Sequence, residues 1–187
     1  MKTRNLFCIS VLAILLLAAG ADARKVTLSS VKVAAIVSPT DARDSRVLLF
    51  FELPPDVMNS KARVDFATLL CKTQIMGPDM GQIDVFPVTA EWKDRGAVSW
   101  SDGWKEPGGD YDADFLANSY SLKSEFGEKE IVIDVTEIVQ KWQNGELANN
   151  GIMLKLSADD LETFSNLNYA LDREKVLLSV FYSYEYK

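Results

Sequence analysis

The chain has 187 residues, 48% of them hydrophobic and 25% charged, with nine Phe, six Tyr and four Trp. This composition excludes a disordered tail, and ten Gly and six Pro exclude a collagen-like or low-complexity fibre. The net charge is −7 and His is absent, which removes His-based catalysis and His metal ligation and argues against nucleic acid as a partner.

Lys2 and Arg4 precede an apolar run from Leu6 to Ala19 that ends in small residues. A charged start, a short apolar stretch and an A-x-A sequence at Ala21-Asp22-Ala23 form the pattern of a secretory signal. The run is shorter than the roughly 20 residues a membrane-spanning helix needs; an uncleaved anchor or buried helix is the competing reading. The expectation is a signal peptide over residues 1–23, cut after Ala23 or, as second choice, after Gly20, followed by one domain over 24–187. Cleavage after Ala23 leaves 164 residues with 18 basic and 26 acidic side chains, a net charge of −8. Cys71 is then the one remaining cysteine, so no intrachain disulfide can form. A chain of this length can bury enough apolar surface without one. The expected location is extracellular or cell-surface, with the periplasm as the alternative, and no transmembrane segment in the mature chain.

The remainder shows strand periodicity. Val26–Val37 supplies an opening strand. Arg46–Leu53 (RVLLFFEL) is apolar at successive positions, as in a central strand covered on both faces, and Pro54-Pro55 ends it. Ala62, Val64 and Phe66 alternate with Arg63, Asp65 and Ala67. Ile83 and Val85 alternate with Gln82 and Asp84, and Ile131 and Ile133 flank Val132. Ile152–Leu156 follows a turn at Asn150-Gly151. Lys175–Tyr184 closes the chain, with Val176, Leu178, Val180, Tyr182 and Tyr184 on one face. Many short strands separated by turn signals predict an antiparallel β-sandwich.

One helix interrupts this pattern. Asp134 is its expected N-cap and Glu137 the partner in a capping box. Val135, Ile138, Val139 and Trp142 fall on one stripe, and Asn144-Gly145 provides a left-handed stop. Two turns do not persist alone, so the stripe must dock against the sheets, with Trp142 as a packed anchor.

The segment DVTEIVQKWQNGELANNGIMLKL, Asp134 to Leu156, resembles the most recognisable stretch of the DNRLRE domain family, which overlaps with carbohydrate-binding module family 96. Asp134, Thr136, Trp142, Asn150 and Gly151 stand at its motif positions. RVLLFFELPP from Arg46, the Ala62-Val64-Phe66 pattern, IDVFPVTAEWKD with Trp92, VSW ending in Trp100, GGDYD from Gly108 and the closing strand Val176–Tyr182 match other pieces in order. The likeness spans nearly all of Arg46–Tyr184. It departs at Asp94, where Glu is usual, at Phe50, often polar, and at Glu174, which replaces the Pro common after the Arg matching Arg173. The helix segment is also similar to prodomains of transforming-growth-factor-β precursors, a likeness of architecture. The resemblance implies a jelly-roll-like β-sandwich with one docked helix and an extracellular life, often as an accessory module beside polysaccharide-degrading or adhesive domains.

Chemistry is sparse in the remaining residues. Without His, no Ser-His-Asp or Cys-His arrangement can be built, and Cys71 in LLCKT reads as a small buried hydrophobe. Twenty-six acids make some carboxylate pair inevitable, so proximity in sequence says nothing of glycoside hydrolysis. Asp110, Asp112 and Asp114 form a D-x-D-x-D run whose alternating oxygens suit calcium, or else a solvated acidic turn; the EF-hand pattern fails at Phe115 and Ser121. Trp100, Trp104, Tyr111 and Tyr120 surround a Gly/Pro/Asp-rich loop. Exposed aromatic faces stack on sugar rings, so Trp104 and Tyr111 are the leading ligand candidates, with Tyr120 and Trp100 beside them, although Trp100 matches a motif position and is expected in the core. Lys105 and Lys123 could assist with an acidic sugar, although the net charge opposes polyanions and nucleic acid. The expectation is a non-catalytic module binding a polysaccharide or cell-surface glycan. The alternative is a structural or adhesive protein that binds other proteins or itself.

Overall fold

The computed structural model describes residues 22–41, 44–75, 81–121, 127–158 and 176–184. The apolar run before Asp22 and Lys123, Glu174 and Lys175 lie outside the described residues. Among the described residues nine strands form two sheets: β1 (Asp22–Ser29), β2 (Lys32–Val37), β3 (Ser45–Phe50), β4 (Ala62–Ile75), β5 (Gly81–Pro87), β6 (Asn118–Ser121), β7 (Gly127–Asp134), β8 (Ile152–Ala158) and β9 (Val176–Tyr184), with one helix, α1 (Thr136–Gln143), between β7 and β8. One sheet has the order β1-β9-β4-β7 and the other β2-β3-β8-β5-β6, and every pairing is antiparallel. With β2 set aside as an added edge, this connectivity is a jelly roll, two Greek keys folded into facing sheets. No helix among the described residues is long and apolar enough to cross a membrane.

The main core lies between the sheets. Val47, Leu49, Ile83, Val85, Ile152 and Leu154 from one sheet meet Val64, Leu69, Cys71, Ile131, Ile133, Val176, Leu178 and Val180 from the other. The expected alternation holds at Ile83/Val85, at Ile131/Ile133 with Val132 outside, and at Val176–Tyr182. β3 is buried at every position because its two faces enter different cores: Val47 and Leu49 the main one, Leu48 and Phe50 a second on the outer face of the five-stranded sheet.

Three expectations are corrected. Val26–Val37 is not one strand: the chain leaves the four-stranded sheet after Ser29 and enters the five-stranded sheet at Lys32, with Ser30 buried at the corner. The 62–67 alternation breaks at a bulge between Val64 and Phe66; the extra residue turns Phe66 to solvent and puts Ala67 in the core. Asp134 is not the N-cap, and the capping box with Glu137 does not form from that position. Val135 is the N-cap, with no side-chain cap bond. Asp134 stands one residue earlier, at the end of β7, and its Oδ1 accepts from the Thr136 N–H (2.9 Å) and hydroxyl (2.6 Å).

The helix docks as its stripe requires, with Val135, Ile138, Val139 and Trp142 all in the main core. Its C-terminus closes as a Schellman turn: Gly145 N–H donates to Trp142 O and Glu146 N–H to Lys141 O, with Gly145 at φ 74°. Its polar side chains complete β4. β7 pairs with β4 only from Thr68 onward, so the backbone of Ala62–Ala67 has no strand on that side. The Thr136 hydroxyl accepts from Ala67 N–H (2.9 Å), and Ala67 O accepts from Val135 N–H (3.0 Å). Gln140 Nε2 donates to Val64 O (2.9 Å). Gln143 Oε1 accepts from Val64 N–H (3.1 Å) while its Nε2 donates to Val57 O (2.8 Å) and Ala62 O (2.9 Å).

Replacing Gln143 by Ala strands one backbone donor and two acceptors at a partly buried site. We expect a loss of about 2–3 kcal/mol in urea unfolding. Gln143→Glu, which can accept but not donate, should restore less than half of it.

Candidate functional site

The segment between β5 and β6 folds back over the outer face of the five-stranded sheet. There Ile36, Leu48, Phe50, Phe86, Val88, Trp92 and Met153 form the second core, with Trp100, Trp104 and Tyr111 packed against it. Trp92 is buried and its Nε1 donates to Asn150 O (2.7 Å), while Asn150 Nδ2 donates to Thr89 O (3.0 Å). The Asn150-Gly151 turn thus fastens the start of the loop.

Basic side chains cover the aromatic faces. Arg46, 7% exposed, lies with its guanidinium carbon 4.7 Å from the Trp100 ring centre and 5.2 Å from that of Tyr111. Its Nη1 donates to Gly108 O (2.7 Å), and its Nε stands 3.5 Å from Asp44 Oδ1. The Arg95 guanidinium sits 4.5 Å above Trp104, whose Nε1 donates to Ser99 O (2.9 Å). The Lys32 ammonium lies 5.4 Å from the Trp92 ring centre and donates to the carbonyls of Trp92, Lys93 and Arg95. Each such contact contributes about 0.5–2 kcal/mol, more as water is excluded. Gly108 and Gly109 adopt φ 94°, and a Cβ on Gly108 would fall on the Arg46 guanidinium.

This arrangement revises the expected site. Trp100, Trp104 and Tyr111 come together, half-buried on the second core and stacked with Arg46 and Arg95, Trp100 in the core contact expected of it. Tyr120 does not join them: it pairs with Ile83 in β6 and packs on the main core, through the other face of the sheet. Lys105 is exposed on the loop. Asp110 is spent on the turn, its carboxylate accepting from the N–H groups of Lys105 and Glu106 (3.0–3.1 Å), and Asp112 accepts from Asp114 N–H (3.1 Å). Among the described residues no group of three or more His, Cys, Asp or Glu could hold a metal ion, so the three aspartates do not converge as the calcium expectation requires. Among the motif residues, Asp134, Thr136, Trp142, Asn150, Gly151 and Trp92 all make contacts within the fold.

Beside the loop, at the end of the same sheet face, lies an open groove of about 430 Å³. Val31, Phe50, Leu53 and Met58 give it an apolar side; Lys32, Glu52, Lys93, Asp94 and Asn149 supply the polar one. Lys32 is held by the loop carbonyls, and Asn149 by Phe51 O and Gly151 N–H. Glu52, Lys93 and Asp94 are exposed, with the Lys93 ammonium 5.3 Å from the Phe50 ring centre. None of these is a site candidate from sequence, Phe50 and Asp94 standing out only as departures from the family pattern, because the groove joins segments far apart in the chain. Arg46 did carry a signal: a lone arginine in an all-apolar strand must be paired when buried.

Cys71 is buried in the main core and unpaired with another cysteine. Burial pushes its thiol up to about 12, so it stays protonated and is no nucleophile near neutral pH. No protein-family model matches the chain, and no curated protein matches it.

Gly108→Ala should cost more than about 3 kcal/mol, combining left-handed strain with displacement of Arg46. Gly145→Ala, with nothing within 4 Å of the new Cβ, should cost about 1–2 kcal/mol; thermal unfolding of both variants checks the order. A second expectation concerns pH. The unfolded Cys71 thiol ionises near its ordinary value and the folded one only near 12, so its contribution is intact below about pH 8.5 and falls away as pH rises toward 12. Urea unfolding from pH 8 to 10.5 should show a steeper decline for the wild type than for Cys71→Ala, by up to about 1.4 kcal/mol per pH unit.

Proposed function

We propose that this chain is a secreted, non-catalytic jelly-roll module of the DNRLRE kind that binds carbohydrate at a cell surface or in an extracellular matrix. We place its ligand in the groove beside the aromatic loop. The observation that carries this reading is the groove's two-sided lining, apolar on Val31, Phe50 and Met58, polar on Glu52, Lys93 and Asp94. A sugar has the matching duality: C–H groups on one face and hydroxyls that both donate and accept around its edge. Carboxylates accept from such hydroxyls and an ammonium donates to them, while the apolar wall takes the C–H face. The volume lies within the range of small-molecule sites.

Two carboxylates at the rim and a net charge of −7 favour a neutral polysaccharide over a polyuronate. The lack of His and the buried, protonated Cys71 support a binding role over nucleophilic catalysis. The secretory pattern of the first 23 residues supports export.

A glycan array and pull-down on insoluble polysaccharides test the reading. We expect retention on neutral glycans, weakened roughly tenfold or more by Asp94→Ala combined with Lys93→Ala, since each lost charged hydrogen bond costs about 1.5–3 kcal/mol. Trp104→Ala should lower thermal stability more than binding. No retention across a broad panel, or retention unchanged by the groove substitutions, would count against it.

A further inference from the structure

Two Asn-Gly dipeptides occur in the chain, Asn144-Gly145 and Asn150-Gly151. The pair carries a chemistry of its own. A glycine nitrogen, with no Cβ beside it, can reach the carbonyl carbon of the preceding asparagine side chain and close a five-membered ring. The fold treats the two dipeptides differently. Asn150 is fixed on every side: its Nδ2 donates to Thr89 O (3.0 Å), its backbone carbonyl accepts from Trp92 Nε1 (2.7 Å), and Gly151 N–H donates to Asn149 Oδ1 (3.2 Å). Gly151 is buried, and a Cβ there would fall on Leu49 O. Asn144 and Gly145 are exposed at the C-terminus of α1, and the Asn144 side chain has no hydrogen-bond partner among the described residues. A single bond holds Gly145 N–H, to Trp142 O (3.2 Å), and a Cβ on Gly145 would meet nothing within 4 Å.

We propose that Asn144 is a site of spontaneous deamidation in the folded protein and that Asn150 is protected from it. Reaction requires Asn144 to rotate away from its helical ψ of −7° and Gly145 N–H to leave Trp142 O. Both follow when the last turn frays, the least costly opening a helix offers. Stripped of its proton by hydroxide, the Gly145 nitrogen attacks Asn144 Cγ. The N–Cγ bond forms, the Cγ–Nδ2 bond breaks, and Nδ2 takes a proton from water and leaves as ammonia. Water then opens the succinimide: hydrolysis at Cγ gives an ordinary aspartyl residue, and hydrolysis at the main-chain carbonyl gives an isoaspartyl residue. One water is consumed and one ammonia released, with no oxidant or reductant. Either product sets a carboxylate among the last carbonyls of α1, where the helix dipole opposes negative charge. The isoaspartyl form also adds a main-chain carbon directly after Gln143, the side chain that bonds Val57 O, Ala62 O and Val64 N–H. Deamidation thus loosens α1 where it completes β4. At Asn150 the same step must first break the bonds to Thr89, Trp92 and Asn149.

Peptide mapping by mass spectrometry of the full chain, aged in warm, mildly alkaline buffer, tests this. The expected result is conversion of Asn144 at least about tenfold faster than conversion of Asn150, because helix ends open far more often than a packed loop. Aspartyl and isoaspartyl products should both appear at Asn144, and the melting temperature should fall as they accumulate. In urea that unfolds the chain, the two sites should react at similar rates, since the dipeptides are the same. Asn144→Gln, whose longer side chain closes a six-membered ring far more slowly, should remove most of the fall in melting temperature. Equal conversion at both sites in the folded chain, or faster conversion of Asn150, overturns the proposal. So does an Asn144 that stays intact in the folded chain while both sites convert in urea. A fall in melting temperature unchanged by Asn144→Gln overturns the link to β4.

Discussion

The backbone of β4 between Ala62 and Ala67 sets the terms for much of this molecule. It continues past the point where its neighbour β7 ends, and strand amides next to a core cannot remain without partners. α1 resolves the shortage from two sides. Its apolar stripe closes the end of the sandwich, and Thr136, Gln140 and Gln143 hand β4 the hydrogen bonds a strand would have made. The bulge between Val64 and Phe66 belongs to the same arrangement, since Val64 bonds through both N–H and C=O to helix glutamines. An eight-residue helix with little stability of its own is thus held by both ends of its chemistry.

The five-stranded sheet meets a different demand. Its outer face is apolar at Leu48, Phe50, Phe86 and Met153 and would be a liability if bare. The loop between β5 and β6 covers it with indole and phenol rings, and Arg46, Arg95 and Lys32 cap those rings in turn. Aromatic residues in a polar loop therefore serve as a lid on the second core.

The two outer faces of the sandwich differ. One is roofed and leaves a mixed polar and apolar groove at its margin. Among the described residues the other exposes Phe66, Val132 and Phe181 beside the hydroxyls of Thr68, Ser179 and Thr27.

Periodicity in the sequence determined the class of fold, the buried phase of β5, β7 and β9, the apolar stripe of α1 and its stop at Gly145. Each of these depends on residues close in the chain, where side-chain spacing alone decides which face turns inward. What depended on distant segments was decided only by tertiary structure. The split of residues 26–37 between two sheets answers to pairing with β9 and β3, and the turning out of Phe66 to a bulge facing α1. Asp134 left the cap because it ends β7. Trp104 and Tyr111 became a roof because Arg46 and Arg95 arrived from elsewhere, and the groove joins residues 31, 50, 58, 93 and 149. Alternation encodes an inside and an outside; it cannot encode which outside face another part of the chain will come to cover.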